Sequence, residues 1–152
     1  MRRLRVYADT SVFGGCFDEE FAEITVRFFD EVRQGRFRLV VSSTTLRELH
    51  RAPEEVRRVV GSIPEAAIET FEVDEEVTAL PDAYIESGVV GPASLLDAEH
   101  IAAAAVADVD LIVSWNFKHI VNFQKIRGYH AVNLLRGYRQ IPIHSPWEVV
   151  EP

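Results

Sequence analysis

Short apolar segments that favour β-strands alternate along the chain with longer segments whose apolar residues recur at helical spacing. This alternation predicts parallel strands, because parallel neighbours need a helical crossover to return the chain to the same end of the sheet. The predicted strands are Leu4–Ala8 and residues 37–43, 67–73 and 110–115. The predicted helices are residues 19–34, a helix capped by Thr44 or Thr45, residues 53–63, residues 74–86 with a kink at Pro81, residues 95–107 and residues 121–138. We therefore expect an α/β fold, a three-layer α/β/α sandwich with a mainly parallel central sheet and a short extended segment over residues 141–150.

The size and composition of the chain are those of one globular domain over residues 1–152. Hydrophobic residues make up 47% and charged residues 26% of the 152 positions, and no apolar run reaches the length of a membrane span. The single cysteine, Cys16, excludes an internal disulfide and suits a reducing environment. We expect a cytoplasmic protein without a membrane segment.

Acidic residues stand where predicted strands end and where the following helices begin. Asp9 follows the first strand, Glu48 lies in the helix after the second strand, and Asp97 lies in the first turn of an alanine-rich helix. Asn116 follows the fourth strand. Parallel strands end at a common edge, where ligands of open α/β sheets bind, so these four side chains are expected to converge.

Three carboxylates in one pocket repel each other, and burial increases that repulsion. A hard divalent cation, Mg²⁺ or Mn²⁺, would relieve it, since these ions prefer oxygen ligands and bind phosphate oxygens. Asp9, Glu48 and Asp97 are the predicted metal ligands, directly or through water, with the hydroxyls of Thr10 and Ser11 close to the first of them. Metal-activated water attacking a phosphodiester is the chemistry that such a site supports.

Several segments in order along nearly the whole chain resemble PIN-domain proteins. They are "VYADTSV", "SSTTLRELHR" and "LLDAEHIAAAAVADVDLIVSWNFKHI". The resemblance implies cleavage of single-stranded RNA at an acidic Mg²⁺/Mn²⁺ site, with Asp9, Glu48 and Asp97 matching three of the family's acids. PIN domains include the ribonuclease toxins of VapC-type toxin–antitoxin pairs, so it also implies a homodimer and a small antitoxin partner.

The chain departs from this family after the last core strand. Members have a fourth acid there, often with another two residues on, whereas this sequence has Asn116 and Lys118. An Asn can coordinate through its carbonyl oxygen or hold a metal-bound water, but it cannot neutralise a second cation. We therefore expect one well-held metal and a second that is weak or depends on substrate. The alternative is a catalytically weakened PIN domain that binds RNA or a protein without cutting.

Each candidate also has a structural explanation. Asp9 and Asn116 could simply form turns, Glu48 could pair with a neighbouring arginine in solvent, and Asp97 could stabilise a helix N-terminus. The net charge of −8 argues against broad nucleic-acid binding, although it does not exclude a local basic rim.

The segment after the fourth strand is the candidate for contacts with RNA. Lys118 and His119 could hold phosphate, or lie in water as ordinary loop residues. The nearby aromatic side chains Trp115, Phe117 and Phe123 could stack bases or belong to the core, and Phe123 is expected in the core.

Some residues have no predicted role in the site, and others have two possible explanations. Glu99 is expected to be solvated, and His100 and His119 lack a zinc-site spacing. Apolar residues of the first helices are explained equally by the core and by contacts with a partner, and they are Phe28, Phe29 and Val59.

Overall fold

The computed structural model describes residues 2–152 and contains a five-stranded sheet in which all strands are parallel. The strand order is β3-β2-β1-β4-β5, so the first strand is central. The strands are β1 (Leu4–Ala8), β2 (Phe37–Ser42), β3 (Ile68–Phe71), β4 (Leu111–Val113) and β5 (Ile143–His144). The predicted parallel sheet is confirmed, and the extended segment near the C-terminus supplies its fifth strand.

Helices cover both faces of the sheet. They are α1 (Thr10–Gly15), α2 (Ala22–Arg33), α3 (Ser43–His50), α4 (Glu54–Gly61), α5 (Glu75–Glu86), α6 (Leu95–Val106), α7 (Phe123–Leu135) and α8 (Pro146–Val149), with single 3₁₀ turns at Glu65–Ala67 and Pro92–Ser94. Successive strand residues point to opposite faces, so Val6 belongs to the core under α2 and α4, and Tyr7 to the core under α5 and α6. The predicted three-layer architecture is confirmed.

The structure differs from the predicted helices at three places. A short helix, α1, starts immediately after Asp9, in a segment for which the sequence predicts no helix. Ser42 caps α3 in place of Thr44 or Thr45, and Thr45 completes a reciprocal capping box with it. Pro81 does not divide α5, because Leu80 and Ala83 on either side of it are buried against the core shared with α6.

Gly35 follows the C-terminal end of α2. Its φ of 87° lies in the left-handed region, where a side chain would be strained. Within residues 2–152, none of the helices combines the length and apolar character needed to cross a bilayer.

Candidate functional site at the carboxyl edge of the sheet

Asp9 ends the central strand and is buried, with only 4% of its surface exposed. It occupies the N-cap position of α1, yet its carboxylate makes no capping hydrogen bond. Instead, Oδ1 accepts a hydrogen bond of 2.6 Å from the Ser11 hydroxyl. That hydroxyl also accepts a 2.9 Å hydrogen bond from the backbone N–H of Trp115, which links Asp9 to the end of β4. The Asp9 carboxylate is therefore held in place without serving as a turn former.

Glu48 is partly buried on α3 and is held by two donors on one oxygen. The Thr10 hydroxyl donates to Oε1 over 2.8 Å, and Nε2 of His100 lies 2.5 Å from the same atom. Burial alone would raise the pKa of Glu48, but these hydrogen bonds and the charges of His100 and Arg47 outweigh burial and lower it. Glu48 is therefore ionised and oriented, and its partner is His100 on α6 instead of a neighbouring arginine.

His100 is the basic group at the centre of the site and is 2% exposed. Its Nδ1 lies 2.7 Å from the hydroxyl of Tyr7, which is 2.8 Å from the Ser42 hydroxyl. Burial alone would lower the pKa of His100, but the Tyr7 oxygen and the charges of Glu48 and Asp9 outweigh it and raise the pKa to about 10. At neutral pH the ring is an imidazolium that donates to Glu48 and Tyr7, leaving the tyrosine hydroxyl to donate to Ser42.

Asp97 lies in the first turn of α6, one turn before His100, and is partly buried. Burial raises the pKa of Asp9, His100 and the hydroxyls of Ser11 and Ser114 oppose this shift, and the charge of Asp97 adds to it. The charge of His100 therefore acts on both Asp9 and Glu48, and the charge of Asp97 acts on Asp9.

His100, a positively charged side chain of the protein itself, balances part of the negative charge of the carboxylates. Sequence reasoning considered His100 only as a zinc ligand, although its position on the alanine-rich face of α6 was a signal that it is buried. Within residues 2–152, no group of three or more His, Cys, Asp or Glu side chains is arranged to hold a metal ion. The carboxylates suit a hard cation chemically: Oδ1 of Asp9 and Oε1 of Glu48 are already hydrogen-bonded, so Oδ2 of Asp9, Oε2 of Glu48 and the carboxylate of Asp97 are the oxygens that could bind Mg²⁺ or Mn²⁺.

The segment after β4 is held by backbone capping and lacks a carboxylate. Oδ1 of Asn116 accepts a 2.9 Å hydrogen bond from the N–H of His119, and the Asn116 N–H donates to the Ser114 hydroxyl over 2.9 Å. Lys118 is exposed, whereas His119 is partly buried and its Nδ1 has no partner among the residues described. The structure therefore shows a turn-forming role for Asn116, with one oxygen lone pair remaining for other contacts.

Two predictions about burial are wrong. Glu99, expected in solvent, is buried, because it faces α3 and accepts hydrogen bonds from the Thr44 hydroxyl and Arg47. Phe123, expected in the core, is 72% exposed, because it is the first residue of α7 and lies beneath the guanidinium of Arg127.

The candidate contact residues of the first helices belong to the core. Phe28 and Phe29 are fully buried and Val59 is almost so. The structure therefore leaves the first helices without the exposed apolar contacts considered for a partner.

Four aromatic rings cluster beside Asn116 and form what we call the aromatic platform, made of Phe21, Trp115, Phe117 and Trp147. The Phe21 and Trp115 rings are stacked with centroids 4.1 Å apart, and the Trp147 ring meets both edge-on at 5.3 and 4.9 Å. Sequence reasoning found Trp115 and Phe117 but missed the other two, which come from segments distant in sequence.

The fold and the charged edge together define an α/β protein with a candidate acidic site at the carboxyl ends of its strands. Neither family models nor curated protein sequences match the chain. Among solved structures it is similar to FitAcB from Neisseria gonorrhoeae, with 16% identity and a TM-score of 0.56 over 95% of this chain and 99% of that one. This likeness shows a shared PIN-like fold.

Proposed function

We propose that the chain is a PIN-type endoribonuclease that hydrolyses phosphodiester bonds of single-stranded RNA with the help of Mg²⁺ or Mn²⁺. The shared fold supports this proposal, as do Asp9 and Glu48, which have His100 as a common neighbour, and Asp97, whose charge acts on Asp9. The sequence resemblance to PIN domains supplies the substrate class.

The position of Asp9 is the observation on which the proposal rests. A buried carboxylate at the end of the central strand, uncommitted to helix capping, is costly unless it serves a purpose. Raised pKa values of this kind cluster at functional sites.

The remaining side chains divide the work around Asp9. Asp9 and Asp97 would hold the divalent cation, which when bound would supply Lewis acidity and an activated water. His100 and Thr10 orient Glu48 through Oε1, which leaves Oε2 to accept a proton or bind water.

A groove of about 360 Å³ runs beside Glu48 and provides a path for the RNA backbone. Arg47 and Arg51 line it, so their charges would offset those of the phosphates.

We also propose, from the family resemblance, that the protein works in the cytoplasm as the toxin of a toxin–antitoxin pair. A homodimer and a small antitoxin would then be its partners. An antitoxin arginine that reaches the carboxylates would pair with them and block the site.

The test is metal-dependent cleavage of an end-labelled single-stranded RNA of mixed sequence. We expect cleavage with Mg²⁺ or Mn²⁺, none with EDTA, and a loss of at least about a hundredfold in Asp9→Asn and Asp97→Asn. Asp82→Asn, which changes an exposed acid on α5, is the matched control. Cleavage that persists in both site variants or in EDTA would refute the proposal.

A second candidate is a domain that binds RNA or a protein without cutting. The neutral Asn116 and the engagement of Glu48 by His100 favour it, because both reduce the carboxylate available to a metal. Metal-independent RNA binding by the unmodified protein without cleavage would select this alternative.

A further inference from the structure

The aromatic platform has a base of one buried and one partly buried ring, and two exposed rings above it. Trp115 is buried and packs on Phe21, whereas Phe117 and Trp147 are 40% and 47% exposed. The two exposed rings are nearly parallel, with an interplanar angle of 23° and centroids 6.0 Å apart. Large aromatic faces are thus presented to solvent from a packed base.

The base of the platform is rigid. The Trp115 indole N–H donates a 2.9 Å hydrogen bond to the Thr25 hydroxyl, so its polar atom is satisfied inside the protein. Gly15 permits this close approach, since a Cβ there would lie 2.6 Å from the indole nitrogen. A ligand that stacks on the platform would therefore find its rings already in place, which reduces the entropic cost of binding.

The platform is joined directly to the acidic site. The backbone N–H of Trp115 and the carboxylate of Asp9 share the Ser11 hydroxyl as their hydrogen-bond partner, at 2.9 and 2.6 Å. The platform and the acidic site are therefore connected through Ser11 at the carboxyl edge of the sheet.

A positively charged side chain stands next to the exposed rings in the sequence. Lys118, one of two lysines in the chain, follows Phe117 and is exposed. Of the nearby acids, Asp18 accepts hydrogen bonds from backbone N–H groups at the start of α2, and Glu148 accepts one from the Ser145 N–H while its other oxygen faces His144. Glu19 and Glu20, which precede Phe21, are exposed.

We propose that Phe117 and Trp147 form a nucleobase subsite, on which one unpaired base of the RNA strand stacks while Lys118 contacts an adjacent phosphate. This inference rests on the proposed function for the identity of the strand. Aromatic stacking accepts any base, because every base presents a π-face, so the subsite selects unpaired over paired nucleotides without reading sequence.

The experiment measures binding separately from cleavage. Anisotropy of a labelled eight-nucleotide oligoadenylate is titrated with protein in EDTA, alongside the same oligonucleotide paired in a duplex. We expect Trp147→Ala and Phe117→Ala each to weaken binding of the single strand by about tenfold, in line with the loss of one stacked base. Trp147→Phe keeps a ring and is expected to stay within about threefold of the unmodified protein.

Phe123→Ala is the matched control, because Phe123 is an exposed aromatic residue outside the platform. A second readout is tryptophan emission: stacking on Trp147 quenches it, and Trp147→Phe should remove that quenching while binding persists. Thermal unfolding of each variant verifies that the platform variants are folded.

The outcomes separate this inference from the proposed function. Equal affinity in all variants, or an equal loss in Phe123→Ala, would overturn the subsite even if the protein cleaves RNA. Tenfold weaker binding in the platform variants by a protein that never cleaves RNA would overturn the nuclease proposal alone. A homodimer that dissociates in Trp147→Ala, with RNA affinity unchanged, would assign the rings to a protein interface and overturn the subsite.

Discussion

The carboxyl edge of the sheet has two halves in which different interactions hold the side chains in place. In the half around β1, α3 and α6, buried charges fix one another, as His100 does for Glu48. In the half after β4, uncharged groups hold the segment in place. Asn116 accepts a hydrogen bond from the His119 N–H, and Trp115 stacks on Phe21.

The difference shows where the chemistry and the recognition of a ligand would reside. Buried charges are strong only while every partner is present, so the acidic half is sensitive to single changes. Aromatic packing and backbone capping are distributed over many weak contacts, so the other half tolerates change and remains open to a ligand.

The largest effect on stability is expected when the positively charged His100 is replaced. His100→Gln should lower the free energy of unfolding by about 3 kcal/mol, because it leaves the partly buried Glu48 without its charged partner and removes a buried side chain from the core. His119→Gln, in the neutral half, should cost less than about 1 kcal/mol. Urea unfolding measures both, and equal losses would show that the two halves do not differ in this way.

The stability of the protein should depend on pH through the titration of His100. The pKa of His100 is raised in the folded protein to about 10, above its ordinary value of 6.5, so its contribution is complete below pH 6.5 and is lost as pH rises towards 10. The stability of the unmodified protein should therefore fall more steeply over this window than that of His100→Gln. Parallel pH profiles of unfolding in the two proteins would contradict the charged state assigned to His100.

A smaller effect, on metal affinity, is expected when a carboxylate is introduced into the half after β4. Asn116→Asp keeps an oxygen to accept from the His119 N–H and adds a negative charge, so Mn²⁺ should bind about tenfold more tightly. Asn122→Asp is the matched control, because Asn122 likewise caps a turn of backbone, at the start of α7. Calorimetric titration with Mn²⁺ distinguishes them, and an equal change in both would exclude a specific site at Asn116.

The smallest effect is a gain in stability on removing the central acid. The pKa of Asp9 is raised by burial, so its ionised form is strained at neutral pH, and Asp9→Asn should stabilise the fold by about 1 kcal/mol. The amide oxygen can still accept from Ser11. Unfolding in urea at pH 7, with Asp82→Asn as the reference, measures this gain. A loss of stability would mean that the carboxylate supports the fold.

The three-layer architecture and the edge of the sheet on which the acids lie could both be predicted from the sequence. Strands buried on both faces read as continuous apolar runs, and the carboxyl ends of parallel strands coincide whatever the details of packing. Asp9 and Glu48 could therefore be placed at one edge before any contact was known.

The contacts of those acids could not be predicted in the same way. Whether His100 reaches Glu48 depends on the rotation of α6 against α3, which periodicity does not define for a helix apolar on nearly every side. Glu99 was misjudged for the same reason. Trp147 joins the platform only because β5 extends the sheet beside β4, and a two-residue strand leaves almost no signal in sequence.

The imidazolium of His100 has a consequence for how the protein matures. Where clustered carboxylates depend on an imported ion, folding and metal supply are coupled, and a chelator denatures the protein. Here His100 supplies a positive charge from within the chain, so the acidic site can fold around Glu48 and Asp9 without an imported ion. We therefore expect EDTA to leave the melting temperature of the protein unchanged.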